Sequence, residues 1–179
     1  MSSSLTVRRI AADQGATYRE LRAASLRDAP YAFDETLEEA LSEQAETFEE
    51  TASRHAASET STSFILYTEG HPAGLIGAYF EDAPERRAFV YALWVAPAVR
   101  HLRGGELLVN TASHWLAERG ASDVYAWVPD ANRNGMRFYE HLGFGPGGEH
   151  VPVAHAPQEW VTLLVQPVKR QNEGEASAP

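Results

Sequence analysis

One phenol, Tyr139, stands near the end of the stretch "NRNGMRFYEHLGF", Asn132 to Phe144. A phenol titrates near ~10, so it holds its proton at neutral pH and can lend it to an emerging anion. It can equally be an aromatic packed beside Met136 and Leu142 on an amphipathic helix. A second stretch, "LWVAPAVRHLRGGELLVNTA", places Arg100 and then Gly104-Gly105 between an apolar run ended by Pro97 and the start of a helix. Backbone N–H groups and the helix dipole favour an anion at such a junction, and glycine lets the backbone approach it closely. A plain strand-to-helix turn uses glycine in the same place for steric reasons.

The elements that must position these residues follow from periodicity. Leu5–Ile10 alternates apolar and polar residues and predicts a short strand. Ala16–Arg27 repeats apolar residues at helical spacing (Tyr18, Leu21, Leu26) and is closed by Pro30. Thr36 and Glu39 fit a capping box. The helix behind them carries Leu37, Leu41, Ala45, Phe48 and Ala52 along one face. Phe64–Tyr67 and Leu75–Phe80 flank the turn residues Glu69-Gly70-His71-Pro72 and predict a β-hairpin. Ala88–Val95 is a third strand of this group. Gly104–Arg119 is an amphipathic helix with Gly120 just past its end. Asp123–Pro129 is a strand, and the helix of the opening stretch ends at Gly143. Gly145–Trp160 is expected to be a flexible connection, and Glu159–Val168 the last strand. This order predicts a mixed α/β (α+β) single domain over residues 1–168, with a strand–helix–strand crossover at Leu93–Val128. Residues 169–179 are expected to be a disordered tail.

Composition narrows the partners. The 179 residues include no cysteine, which excludes disulfides, thiolate metal sites and a cysteine nucleophile. The formal net charge is −10. Much of the excess lies at Asp34, Glu35, Glu38, Glu39, Glu43, Glu46, Glu49 and Glu50, a run that repels phosphate backbones, so no nucleic-acid partner is expected. The same run would favour a cationic ligand, or is a solvated helix face. The start lacks the apolar core of a signal peptide and no apolar run approaches a membrane span, so a cytoplasmic protein without a membrane partner is expected. One lysine against 14 arginines suggests a GC-rich bacterial genome. His150 and His155 lack a known ligand spacing, and no metal is expected.

Taken together, Val95, Pro97 and Arg100 running into a helix, followed one strand later by Asn132, Gly135, Phe138, Tyr139, Gly143 and Phe144, resemble the GNAT superfamily of acetyl-CoA-dependent N-acetyltransferases. The resemblance covers nearly the whole chain, from about Leu5 to Val168. It implies a central, mostly antiparallel twisted sheet, splayed at strands four and five and flanked by about four helices. It implies acetyl-CoA as cosubstrate. The strand Leu93, Trp94, Val95 matches the one that pairs with the pantetheine arm. Arg100, His101, Leu102, Arg103, Gly104 and Gly105 match the pyrophosphate loop, and Asn132 a residue that contacts the cofactor arm. Tyr139 matches the tyrosine that protonates the departing thiolate. The family loop reads Arg-Gly-x-Gly-x-Gly/Ala; here His101 and Arg103 replace its first two glycines, so the loop is expected to differ in shape.

Amine acetylation also needs a route for the amine's proton, because a lysine-like amine is almost wholly protonated at neutral pH. The strand Phe89–Leu93 carries no acid, where the family often has one. Glu81, Asp82, Glu85 and His155 are candidates elsewhere, and Tyr91 could hold a relaying water. The resemblance places Tyr31, Phe33, Tyr91 and His155 about the acceptor, and a small-molecule amine is the first expectation. A protein or peptide amine, and an acyl-CoA-binding module without turnover, are the alternatives. A homodimer is a further expectation from the resemblance.

Overall fold

A computed structural model of the chain describes residues 4–33 and 35–168. The disordered tail expected at 169–179 and Asp34 lie outside the described residues. Seven strands form one sheet in the order β1-β2-β3-β4-β5-β7-β6. The first four are β1 (Leu5–Arg9), β2 (Ser61–Thr68), β3 (His71–Phe80) and β4 (Ala88–Val95). They run antiparallel to one another. β5 (Asp123–Pro129) lies parallel to β4, and β7 (Ala156–Pro167) and β6 (Gly145–Val153) complete the far side by antiparallel pairing.

Helices cover both faces. α4 (Gly104–Glu118) and α5 (Arg133–His141) pack on one face, where Leu108, Val109, Ala112 and Leu116 meet Leu66, Ile76, Val90 and Val124. α1 (Gly15–Asp28) and α3 (Ala45–Ala57) cover the other, over a smaller core of Ile10, Leu21, Ala52, Ile65, Leu75 and Trp94. Gly15 is needed here, because a Cβ would lie 2.7 Å from the Glu49 Cα, so α1 and α3 touch nearly backbone to backbone.

Two elements differ from the sequence expectation. The helix expected through Leu37 and Ala52 is two, α2 (Leu37–Ser42) and α3, separated by Glu43 and Gln44 in extended conformation. Thr36 and Glu39 do form the capping box. Leu41, however, is 42% exposed, so the apolar stripe breaks where the chain turns to dock α3 on α1. The flexible connection expected at Gly145–Trp160 is instead strand β6, a tight turn and the first half of β7. Pro146, Pro152 and glycines hid it, but an edge strand with irregular register tolerates both.

The sheet parts in the middle. β4 and β5 pair at only two positions, Ala88 with Val124 and Phe89 with Tyr125. Opposite Ile76 of β3, β4 carries an extra residue, with Ala92 at φ 54°. A bulge of this kind bends its strand and strengthens its twist. Beyond Phe89 the β4 main chain therefore leaves β5, as expected for strands four and five.

Candidate active site

The gap between β4 and β5 opens into a cleft of about 1000 Å³. One end is the turn that carries β4 into α4, the other the segment between α1 and α2. Leu93 and Val95 of β4 border it, as do Arg100, Arg103 and Gly105 of the loop and Asn132 and Tyr139 of α5. Of the residues expected at the acceptor, Tyr31, Phe33 and Tyr91 border it as well.

Five expected residues do not. Trp94 points to the opposite face, where it is buried in the smaller core and its indole Nε1 donates to Asp28 Oδ2 at 2.9 Å. Strand alternation explains this: Leu93 and Val95 flank the cleft side, so Trp94 must face away. His101 and Leu102 lie in a 3₁₀ turn, Pro97–Leu102, outside the cleft lining. Gly104 is buried against the sheet, where a Cβ would meet Leu66 Cδ2 at 2.5 Å, so this glycine serves helix docking. His155 sits in the turn between β6 and β7 and not in the cleft lining.

Where two family glycines are replaced, the loop is a 3₁₀ turn, Pro97–Leu102, followed by a single residue before α4. Arg103 adopts the left-handed conformation, φ 62° and ψ 29°, immediately before α4. Its guanidinium pairs with Glu106 at 2.5 Å. Arg100 is folded back: its Nε donates to the Val95 carbonyl at 2.9 Å and its Nη2 donates to Asp28. Burial opposes ionisation of Asp28, but the hydrogen bonds from Trp94 and Arg100 outweigh it and hold the carboxyl below the usual range. Gly105 approaches Phe138, whose ring would lie 3.2 Å from an added Cβ, so the first turn of α4 and helix α5 close on each other.

Asn132 caps α5: Gly135 N–H donates to Asn132 Oδ1 at 2.9 Å. The helix behind it presents Tyr139, which is 7% exposed and packs edge-on to Phe138 and Phe144 at 5.4 and 5.1 Å. Its hydroxyl has no hydrogen-bond partner among the described residues, and burial pushes the phenol above its ordinary value. A phenol so placed keeps its proton at neutral pH.

The half of the cleft where the acceptor was expected is aromatic. Tyr79 stacks on Phe89 at 5.3 Å and meets Tyr91 edge-on at 5.4 Å. The Tyr91 ring lies over Gly77, where a Cβ would come within 2.2 Å of it, so the absence of a side chain in β3 makes the seat for this ring. Burial raises the Tyr91 phenol too. Of the base candidates Glu81, Asp82, Glu85 and His155 none borders the cleft, and Glu81 is bound to the Arg87 guanidinium at 2.8 Å; Tyr91, expected to hold a relaying water, does border it. Arg22, Glu35, Tyr79, Phe89, Trp127 and Phe138 also line the cleft and were not singled out from sequence. Phe138 carried a signal there as the neighbour of Tyr139 in the motif, and Glu35 as a member of the acidic run. Among the described residues no cluster of three or more His, Asp or Glu side chains could hold a metal ion, and no helix is long and apolar enough to cross a membrane.

A parted parallel pair, a glycine-started helix facing the gap and a buried tyrosine define an acyltransferase of the acetyl-CoA-dependent class. The chain belongs to the acetyltransferase (GNAT) family, whose profile matches residues 19–144. Two curated mycothiol acetyltransferases are similar to it in part: that of Thermomonospora curvata is 32% identical over 80 residues, and that of Gordonia bronchialis 31% over 83. These matches cover 44% and 46% of this chain and 27% of each relative, about a quarter of its length. A GNAT acetyltransferase of Streptococcus pneumoniae superposes with a TM-score of 0.76 at 16% identity, over 93% of this chain and 100% of its own. Spermidine N-acetyltransferase of Vibrio cholerae, solved with CoA and spermine, gives 0.72 at 17%, over 91% and 95%. At these identities the two structures establish the fold.

Proposed function

We propose that this chain moves the acetyl group of acetyl-CoA to a primary amine of a small molecule by direct attack, with Tyr139 as general acid. The observation that carries the reading is Tyr139, a side chain buried in the lining of a cleft between parted strands, with a hydroxyl bonded to no other described residue. The residues present fit the cofactor. The β4 main chain beyond Phe89 has no strand partner on the β5 side and is free to pair with an amide-bearing arm. The first turn of α4 borders the same gap at Gly105, and a helix N-terminus suits a diphosphate. Asn132 and Arg103 border the space between these two.

Tyr139 then does one job. The amine nitrogen forms a bond to the acetyl carbon, the carbon–sulfur bond breaks, and the phenol donates to the departing sulfur. Ordinary values, ~10 for the phenol and ~8.5 for the thiol, make full transfer uphill by about 1.5 units. Burial raises both groups, so it preserves the donor and leaves this gap nearly unchanged. A hydrogen bond that strengthens as negative charge grows on sulfur is the contribution expected. The amine proton leaves through water held near Tyr91. The names of two similar proteins, a spermidine N-acetyltransferase and a mycothiol acetyltransferase, accord with this reading, and the aromatic half of the cleft supports it.

The test is Tyr139→Phe. Turnover is expected to fall by about 10²-fold or more, with acetyl-CoA affinity by calorimetry within about twofold of the parent. Equal turnover returns Tyr139 to a packing role. Tight coenzyme binding by the parent with no thiol release on any amine would make the chain a binding module.

A further inference from the structure

One face of the sheet, at the parting of β4 and β5, carries aromatic side chains from three neighbouring strands. Strand register puts Tyr79 of β3 opposite Phe89 of β4, and Phe89 opposite Tyr125 of β5. Alternation then brings Tyr91 and Trp127 to the same face. Phe89 anchors this floor: Tyr79 stacks on it with the two planes 12° apart, and the Arg87 guanidinium lies over its ring at 5.4 Å. Tyr91 is held by its seat over Gly77 and its edge contact with Tyr79.

Across from the floor runs the segment that leaves α1. Its Pro30–Ala32 turn packs against β5, and Tyr31 and Phe33 border the cleft there. Tyr31 is 53% exposed and Tyr91 36%, and among the described residues the rings of Tyr31 and Trp127 contact no other aromatic. Tyr31, Tyr91 and Trp127 thus offer uncovered ring surface to one slot, which apolar Pro129, Val153 and Val161 also border. Uncovered aromatic surface gains free energy when an apolar face leaves water to lie on it. A planar ring gains more than a saturated body of equal size, because it alone can adopt offset-stacked and edge-to-face geometry. A polyamine gains less, since the two charged side chains described in this half, Arg22 and Glu35, are bound to each other at 2.5 Å.

We propose that the acceptor is a primary amine carried on a planar aromatic ring, the ring lying in the slot between Tyr31, Tyr91 and Trp127 and the amine turned toward the parted strands. The proposal rests on the acetyltransferase reading and names its substrate class. The ring is a handle and takes no part in the bond changes; docking it fixes where the amine stands.

The experiment measures thiol release by the full chain with three acceptors: phenethylamine, 2-cyclohexylethylamine and spermidine. The kcat/KM for phenethylamine is expected to lie at least about 3-fold above its saturated analogue, the range of aromatic pairing beyond area burial, and at least about 10-fold above spermidine. Equal or better use of the cyclohexyl amine or of spermidine overturns the proposal and leaves the acetyltransferase reading standing. No release on any of the three, with acetyl-CoA bound, overturns both. Trp127→Leu keeps an apolar side chain and loses the ring; it is expected to bring the phenyl-to-cyclohexyl ratio close to one, mainly through KM, with acetyl-CoA affinity within about threefold of the parent. An unchanged ratio in the folded variant overturns the placement of the ring. Since Trp127 is half-buried, melting is measured first, and Tyr31→Ser, on an exposed turn, carries the same expectation if that variant does not fold.

Discussion

Arg100 is the cation that the sequence offers to an anion loop, yet its guanidinium is held by Val95 and Asp28. Residue type was legible; orientation was not, because the partner lies 72 positions away in the chain. Asp28→Asn is expected to cost about 1–2 kcal/mol in urea unfolding, the range for hydrogen bonds to a charged group trimmed for partial exposure. His55 gives a pH dependence. It is 3% exposed, bonds Ser63 Oγ at 2.8 Å, and burial lowers its pKa from 6.5 to about 4. The folded state thus binds fewer protons than the unfolded one between these values, so stability rises with pH there. Unfolding free energy is expected to fall by on the order of 2 kcal/mol from pH 7 to pH 4. His55→Gln should flatten that window. Asp28, whose folded value is depressed, adds stability above its ordinary pKa, and that part is lost only at still lower pH.

At the scale of elements, the bulge in β4 and the glycine beneath Tyr91 shape the acceptor half. Gly77→Ala puts a methyl where the Tyr91 ring lies, so the ring must move. We expect a stability loss of about 1–3 kcal/mol, a raised KM for the amine and an acetyl-CoA affinity within about threefold, read by steady-state kinetics and calorimetry. Arg103→Gly removes a side chain from a left-handed position and is expected to raise stability by up to about 1 kcal/mol in the same assay. Most strands and helices were legible because their apolar periods are long and clean, as in α4. β6 was not: its residues are mostly exposed, and Gly147 sits where a Cβ would meet the Leu163 carbonyl at 2.9 Å, so pairing and not patterning holds it. The break between α2 and α3 was hidden because both halves are good helix formers and only docking on α1 separates them.

At the scale of the molecule, the sheet is two ladders, four strands and three, hinged on two residue pairs. The motifs told where the ladders part, since both stretches flank the gap. They did not tell that Arg22 and Glu35 face it, because the cleft is assembled from elements far apart in sequence. A coenzyme spanning the gap binds only the folded arrangement. Saturation at 100 times its Kd should therefore add about 2.7 kcal/mol, visible as a thermal shift.

Helix α1 spans that arrangement as a push-rod. Arg22, in the cleft lining, and Asp28, which holds Arg100 of the loop after β4 from outside that lining, stand six residues and about 9 Å apart along the same axis. Such a rod cannot slide at one end alone. An acceptor that shifts α1 at the cleft is therefore felt at the loop gripped by Asp28, and donor and acceptor should tighten or loosen each other by one common factor. Calorimetry of each ligand in the presence of the other reads that factor, and cutting the rod's far fastening with Asp28→Asn should bring it to one.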